Sequence, residues 1–305
     1  MTHPAPVLPS SPFTRSEALD SGLGTSEWRE LSSTGLVREI TPGYFVDAAL
    51  PDTLELRLAI ARRALNPDVV VARRAAAWLH GLDVLDYRGF PATPRLEVVT
   101  RNRVDRPRTA LVSAHVADDL AATDIVEIGG IRVTSAMRTT ADLTRFTPRP
   151  DALVSLDAFL HKGLITPDRF TKSLVRWRGR RGVRQAYEVA DLSDARSQSG
   201  GETRLRLRVL DMGLPRPELQ IPVFDLFGSA RFYLDLGWPA WRLALEYDGA
   251  EFHTDADAER DAKRRAWIRE RGWTICVYRK EDVFTSAQHL DAEVMRLVTA
   301  ARSAR

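Results

Sequence analysis

The sequence predicts a mixed α/β protein whose N-terminal part has α+β character. Near the N-terminus, two short helical patterns precede a Pro-Gly turn between two strand-like runs. Further along, strand-like runs are followed by amphipathic helices, and the last third has a capped helix before three apolar strands. A length of 305 residues suits about two domains, each with its own core.

The composition is typical of a soluble globular protein, with 44% hydrophobic residues, 28% charged residues and a mean hydropathy of -0.25. The formal net charge of +3 is too small to indicate nucleic-acid binding, so the distribution of charge must be considered. The lone cysteine, Cys276, excludes an internal disulfide and a thiolate zinc cluster. No apolar run reaches the roughly 18 residues of a membrane span, and no signal-peptide pattern is present. We therefore expect a cytoplasmic protein that does not contact a membrane.

The first residues combine a tail with two short helices. Residues 1–12 are rich in proline and hydroxyl side chains, and we expect them to form a disordered tail. Thr14 and Glu17 form a capping-box pattern, which predicts a short helix immediately after it. Glycines break that helix, and a second short helix is predicted to begin at Thr25 or Ser26.

A small hairpin follows these helices. Residues 36–40 and 44–46 have the composition of strands, and Pro42-Gly43 supplies the turn between them. Two helices followed by a hairpin are typical of a winged helix-turn-helix, which we assign to residues 13–50. If the second helix reads the major groove, the side chains that face DNA are Ser26, Arg29 and Ser33.

Residues 51–190 are predicted to form a small α/β domain. Helices are expected where apolar residues recur every three or four positions, and strands where β-branched residues cluster. The predicted helices cover residues 52–65, 70–80, 136–146, 151–161 and 167–177. The predicted strands cover residues 96–100, 110–116 and 125–133, the last with a turn at Gly129-Gly130.

An arginine-rich segment lies near the end of this domain, with five arginines within residues 176–184. If Trp177 is exposed, the tryptophan and the arginines suit a stacked base and a phosphate backbone. A solvated loop between two helices explains the segment equally well. The nucleic-acid-binding candidates in it are Arg178, Arg180 and Arg181. A Ser- and Gly-rich stretch at 191–200 is predicted to link this domain to the last one, residues 201–305.

The last domain opens with Glu202 in the first turn of a helix that extends to Met212. A glutamate at this position has an ordinary explanation, because it stabilises the helix dipole by a few tenths of a kcal/mol. Three strands are predicted after the helix, at residues 219–224, 231–236 and 242–247.

Two acidic residues, Asp235 and Glu246, interrupt apolar strands. If the numbers of paired residues in the two strands add to an odd number, Asp235 and Glu246 are neighbours, and if they add to an even number, the two acids are separated. The sequence leaves both registers open. Carboxylates about 4 Å apart repel by roughly 4 kcal/mol at an effective dielectric of about 20. Such a pair needs a cation or a proton, and we favour a divalent ion such as Mg²⁺. The alternative is an ion pair of one acid with Arg231 or Arg242.

Further charged residues follow the third strand. Asp248 lies two positions after Glu246, and His253 could return over the acids as a base or phosphate contact, although a lone histidine is as often incidental. A basic helix is predicted over residues 257–271. Its candidate nucleic-acid contacts are Lys263 and Arg264.

This pattern resembles the PD-(D/E)xK nucleases, most closely the Vsr-like branch related to very-short-patch-repair endonucleases. The resemblance covers roughly residues 197–300. It implies a mixed sheet flanked by helices, in which Mg²⁺ (or Mn²⁺) activates water for phosphodiester hydrolysis. The implied metal ligands are Asp235, Glu246 and Glu202. The usual lysine is replaced by Asp248, and Vsr-like members rely on histidine instead. The implied catalytic residues are therefore Glu202, Asp235, Glu246, Asp248 and His253.

Three segments of the first half resemble AbiEi-type antitoxins of type IV toxin–antitoxin systems, namely residues 14–46, 72–82 and 133–143. The resemblance implies a repressor that binds DNA through the winged helix, and a cognate toxin or defence-system partner. We interpret the helix carrying Arg73 and His80 as a scaffold that packs on the wing rather than as a DNA contact.

Three functions remain as hypotheses. The first is a DNA-binding protein that hydrolyses phosphodiester bonds as a Mg²⁺-dependent endonuclease. The second is an AbiEi-like antitoxin and transcriptional regulator whose nuclease-like domain does not cleave. The third is a structural partner protein with the acids held in salt bridges. The retained acids favour the first hypothesis, whereas the missing lysine and the regulator-like first half favour the second.

Overall fold

The computed structural model describes residues 8–9, 11–51, 53–66, 69–84, 95–103, 107, 112–249, 255–284 and 288–303, with the backbone alone at 255–258 and 288. Contacts divide the chain into unit 1, Met1–Leu143, and unit 2, Thr144–Arg305. Helices and sheets occur in both units, so the predicted mixed α/β class is confirmed. Within the described residues, none of the helices combines the length and apolar character needed to span a lipid bilayer.

Unit 1 opens with two short helices and a small sheet. The elements are β1 (Phe13–Thr14), α1 (Arg15–Asp20), α2 (Thr25–Ser33), β2 (Val37–Thr41) and β3 (Tyr44–Asp47). The strands pair in the order β1-β3-β2. The predicted capping box is confirmed: the Glu17 N–H donates to Thr14 Oγ1 over 3.3 Å, and the Thr14 N–H donates to Glu17 Oε2 over 2.7 Å.

A small aromatic core holds these elements together. The Trp28 ring of α2 lies edge-on to Phe13 of β1 and Phe45 of β3, with ring centroids 6.5 and 4.8 Å away. Such edge-to-face contacts add about 0.5–1.5 kcal/mol each to the burial of the rings. Residues 1–7 and 10 of the predicted tail lie outside the described residues, whereas Leu8 packs against this core.

The rest of unit 1 is a mixed sheet with helices. Its elements are α3 (Leu54–Ala64), β4 (Val70–Val71), α4 (Arg73–Leu79), β5 (Leu96–Thr100), β6 (Val112–Val116), β7 (Ile125–Ile128), β8 (Ile131–Thr134) and α5 (Ala136–Phe146), which continues beyond the unit. The strands pair in the order β6-β5-β4-β8-β7. The predicted helix over 70–80 is wrong at its start, because Val70 and Val71 pair with neighbouring strands on both sides. The helix begins only at Arg73, whose φ of +50° makes the turn out of the strand.

Helices open unit 2. They are α6 (Arg149–His161), α7 (Pro167–Ser173), α8 (Val183–Leu192) and α9 (Gly200–Asp211). A buried ion pair joins α6 to α9, with Arg206 Nη2 2.5 Å from Asp157 Oδ2. The Thr203 hydroxyl donates to the same carboxylate oxygen over 2.9 Å. Burial raises the pKa of Asp157 to about 6, although Arg206 opposes the rise.

The C-terminal part of unit 2 is a sheet covered by helices. Its elements are β9 (Glu218–Phe224), β10 (Ala230–Trp238), β11 (Leu243–Asp248), α10 (Asp255–Glu270), β12 (Thr274–Arg279), α11 (Lys280–Phe284) and α12 (Gln288–Ser303). The strands pair in the order β12-β11-β10-β9. Apolar side chains of α9 and α12 pack with residues such as Leu236 and Leu245. Ile268 of α10 packs instead with Leu234 and Ala244.

The hairpin of β10 and β11 has the odd-sum register, because Leu236 pairs with Leu245 and Gly237 with Ala244. The sequence left this register open, and the structure gives the arrangement that brings Asp235 next to Glu246. A close approach of α9 stabilises the same region. A Cβ at Gly201 would lie only 2.0 Å from the Tyr247 ring, so this position requires glycine.

Candidate functional site

A cleft forms where the pairing of β10 with β11 ends. β10 pairs with β11 from Trp238 to Leu236, and it pairs with β9 as far as Ala230. Asp235 and Glu246 therefore lie at the fork between the two strands. The cavity at this fork has a volume of about 170 Å³ and is lined by Asp235, Glu246, Tyr247, Asp248, Asp261, Arg264, Arg265 and Val277.

Asp235 occupies the fork itself. Its Oδ2 accepts a hydrogen bond of 2.9 Å from the Tyr247 N–H, a backbone group of the neighbouring strand. Burial raises the pKa of Asp235 to about 7, and the negative charges of Glu202 and Glu246 add to the rise. The Tyr247 N–H and the Arg264 guanidinium oppose it. Asp235 therefore gains or loses its proton near neutral pH.

Glu246 is buried and held by a guanidinium from α10. Arg264 Nη1 donates to Glu246 Oε2 over 2.8 Å, and Arg264 Nη2 donates to Oε1 over 2.7 Å. Nη2 also donates to the Tyr233 carbonyl over 3.0 Å. The alternative expected one acid to pair with Arg231 or Arg242, whereas the structure pairs Glu246 with Arg264. Helix α10 packs against Ala244 of β11 through Ile268, and this packing brings Arg264 to the Glu246 carboxylate.

Glu202 lies close enough to influence Asp235 but does not line the cavity. Its Oε2 accepts hydrogen bonds from the Gln198 N–H over 2.9 Å and from Gln220 Nε2 over 3.3 Å. Its place in the first turn of α9 is as expected.

The donor set does not fit a divalent metal in this arrangement. In the part of the chain that the structure describes, no group of three or more His, Cys, Asp or Glu side chains is placed to hold one. Both oxygens of Glu246 are engaged by Arg264, and Mg²⁺ requires carboxylate oxygens that are open to it. The Mg²⁺ (or Mn²⁺) assignment to Asp235, Glu246 and Glu202 stays a prediction.

The other residues assigned to this site have different surroundings. Asp248 lines the cavity, with Arg279 Nε 3.8 Å from its Oδ2. His253 lies outside the described residues. Lys263 is exposed and pairs with Glu259 over 2.6 Å, one turn away on the same helix.

The arginine-rich segment is partly as expected. Arg178, Arg180 and Arg181 are exposed, so a phosphate contact there stays a prediction. The condition for base stacking, an exposed tryptophan, is not met, because only 2% of Trp177 is accessible. Its ring lies inside the helical part of unit 2, with the Arg145 and Arg176 guanidinium carbons each 5.2 Å from its centroid. A ring in this position is not open to a stacking base.

The candidate DNA-reading residues of α2 lie on its outer face. Ser26, Arg29 and Ser33 are exposed, whereas Trp28 and Leu31 point into the aromatic core. The helix therefore presents these polar side chains to solvent while its apolar side anchors it.

Sequence reasoning missed a surface at the turn between β9 and β10, where Leu226 and Phe227 are almost fully exposed. A signal was available in the sequence. Two large apolar residues stand together between Asp225 and Gly228, which are residues typical of turns.

Comparisons with known proteins give a domain match for one segment and related proteins for most of the chain. Residues 69–210 match the AbiEi antitoxin C-terminal domain. The chain is 31% identical over 276 residues to two proteins of Mycobacterium tuberculosis, named "Uncharacterized protein Rv2248" in strain H37Rv and "Uncharacterized protein MT2308" in strain CDC 1551. These matches cover 90% of this chain and 97% of each relative. The chain belongs to the family of these mycobacterial proteins, and its residues 69–210 are similar to the AbiEi antitoxin C-terminal domain.

The raised pKa of Asp235 predicts a pH-dependent stability effect. Because the folded pKa of about 7 exceeds the ordinary 3.8, the folded state favours the neutral carboxyl group. The stability that the neutral Asp235 carboxyl group contributes is complete below the ordinary pKa of 3.8 and is lost as the pH rises through 7. In urea titrations, Asp235→Asn should match the wild type near pH 4 and be more stable by about 2–4 kcal/mol near pH 8. The surface variant Asp191→Asn is the control, and a pH-independent difference for Asp235→Asn would contradict the prediction.

The Arg264–Glu246 ion pair predicts strongly coupled mutations. Arg264→Gln leaves a buried carboxylate without its cation, which should lower the free energy of unfolding by about 3–5 kcal/mol. Adding Glu246→Gln should recover most of the loss, because the buried charge is then removed. A double-mutant cycle of urea unfolding measures this coupling. Simple additivity of the two single changes would show that the pair does not stabilise the cleft.

Proposed function

We propose that this protein is an AbiEi-type antitoxin that acts as a DNA-binding transcriptional regulator. The observation that carries the proposal is the match of residues 69–210 to the AbiEi antitoxin C-terminal domain. A cognate toxin is the partner that this class of protein implies.

The N-terminal elements support the DNA-binding part of the proposal. Two helices, α1 and α2, are followed by the β2–β3 hairpin, which is the order of elements in a winged helix-turn-helix. Helix α2 supplies the reading surface, because Ser26, Arg29 and Ser33 are exposed on it. Among these, Arg29 can make charged and bidentate contacts to base edges or phosphates.

The C-terminal sheet is a nuclease-like domain that does not cleave. Its mixed strand order and the acids at the fork of β10 and β11 support a PD-(D/E)xK-like fold. The bidentate Arg264 supplies the positive charge that Glu246 needs, so the site is neutralised without a metal. These contacts favour the regulator over the endonuclease.

The endonuclease is the second candidate. It is favoured by the juxtaposition of Asp235 and Glu246 around a cavity of about 170 Å³. This function would require Arg264 to leave Glu246, because both oxygens of that carboxylate accept hydrogen bonds from its guanidinium in this structure.

DNA binding is tested first on genomic fragments recovered with the purified protein from sheared DNA of its source organism. Arg29→Ala should weaken binding to a recovered fragment by about tenfold, the effect of losing one good base contact. The matched control is Arg169→Ala, which removes an exposed arginine from α7. Fluorescence anisotropy measures both variants. Equal affinity of the wild type and Arg29→Ala would remove α2 as the reader, and the absence of any bound fragment would overturn the DNA-binding function.

Cleavage is tested with supercoiled plasmid, Mg²⁺ or Mn²⁺, and EDTA, with Asp235→Ala beside the wild type. We expect the plasmid to stay supercoiled in every condition, because Glu246 is already paired with Arg264. Metal-dependent nicking by the wild type that Asp235→Ala lacks would establish the second candidate and its site together.

A further inference from the structure

The turn between β9 and β10 displays an apolar surface to solvent. We call residues 224–233 the hairpin tip. Leu226 and Phe227 at its end are 91% and 92% exposed, and Phe224 and Tyr233 at its base are about half exposed. Adjacent large apolar side chains in water are unfavourable, and a patch of this kind marks an interaction site.

The hairpin tip is held in one conformation by its own hydrogen bonds. Asp225 Oδ1 accepts from the N–H groups of Phe227 and Ser229, over 2.8 and 2.9 Å. The Asp225 N–H donates to the Ser229 carbonyl over 2.9 Å, and Gly228 supplies the positive φ of +80°. The backbone that carries Leu226 and Phe227 is therefore preorganised, so little backbone entropy is lost when a partner covers them.

Two arginines lie at the base of the hairpin tip. The register of β9 and β10 shifts between Ala230 and Phe232, and this bulge changes the direction of Arg231. The Arg231 guanidinium carbon lies 5.0 Å from the Trp267 ring centroid, and that of Arg271 lies 3.3 Å from it. Phe232 packs edge-on against the same ring, with centroids 5.3 Å apart. The Trp267 ring thus holds two positive charges near Phe232, at the base of the hairpin tip.

Helix α10 adds exposed charges of both signs. Arg260, Lys263 and Arg269 are exposed on this helix, as are the acids Glu259 and Glu270, and Lys263 pairs with Glu259. An apolar tip with an arginine border is complementary to a partner that has stacked apolar surfaces inside a negatively charged backbone. Duplex DNA has this combination, and apolar side chains that enter its base steps are a known mode of binding.

We propose that the hairpin tip is a DNA-binding wedge: Leu226 and Phe227 enter a base step while Arg231 and the exposed cations of α10 contact phosphates. The inference rests on the proposed DNA-binding function and adds a second contact to it, one that belongs to unit 2. The contact does not involve bond cleavage and does not need a metal.

The test uses a recovered DNA fragment with the fluorescent base 2-aminopurine placed at successive adenines. Full-length wild-type protein should raise the 2-aminopurine fluorescence at one step, because unstacking relieves quenching. The variant Leu226→Ser/Phe227→Ser should lose this signal and bind about tenfold more weakly, the scale of one lost base–aromatic stack. The matched control is Val175→Ser, which removes a 64% exposed apolar side chain elsewhere in unit 2 and should behave as the wild type. Phe227→Trp should retain the signal.

Salt dependence separates the apolar contact from the ionic one. The double serine variant should weaken binding equally at all salt concentrations, because it removes no charge. Arg231→Gln should instead lower the slope of log affinity against log salt by about one phosphate contact. Since both serine substitutions are at exposed positions, a wild-type melting temperature confirms that the variant is folded.

The outcomes distinguish this inference from the proposed function. If the wild type binds DNA and Arg29→Ala weakens it, but the double serine variant keeps both affinity and signal, the wedge is overturned alone. It is also overturned if the double variant loses binding to anionic vesicles or self-association and retains DNA binding. If the wild type binds no DNA at all, the wedge and the DNA-binding function both fail.

Discussion

The register of the β10–β11 hairpin places the carboxylates of Asp235 and Glu246 side by side between apolar neighbours, and the contacts around them follow from this constraint. Asp235 accepts the Tyr247 N–H at the point where the ladder ends. Glu246 accepts hydrogen bonds from both Nη1 and Nη2 of Arg264. Helix α10 is thereby tied to β11 by charge as well as by the packing of Ile268. Without these partners, two buried negative charges would oppose folding.

The identity of the cation determines which function the site favours. A guanidinium held in two hydrogen bonds neutralises a carboxylate permanently, whereas a hydrated metal leaves positions for substrate and water. Breaking such a buried pair is costly, so exchange of Arg264 for Mg²⁺ would have to offset the loss of both hydrogen bonds to Glu246. The regulator needs no such exchange. The contacts of the cleft therefore favour the proposed regulator over the endonuclease.

Local patterns in the sequence predicted much of the fold, and contacts between distant segments explain what they did not. The capping box of Thr14 and Glu17 and the strands around the acids depend on neighbouring residues, and they were found. Val70 and Val71 were assigned to a helix because their pairing partners lie far along the chain. Burial of Trp177 and the choice of Arg264 as the partner of Glu246 likewise depend on how helices pack, which periodicity does not encode. The alternation of side chains along the strands left two kinds of register for the β10–β11 hairpin, and the structure has the one that pairs Leu236 with Leu245.

Arg264 also links the acid pair to the hairpin tip. Besides holding Glu246, its guanidinium donates to the Tyr233 carbonyl and lies 5.6 Å from the Phe232 ring centroid. Both of these residues belong to β10 at the base of the tip, and Phe232 also packs against Trp267 of α10. The acids thus fix an arginine that supports the tip. Under the proposed function, Asp235 and Glu246 thus have a structural role, because they hold the arginine that contacts the base of the hairpin tip.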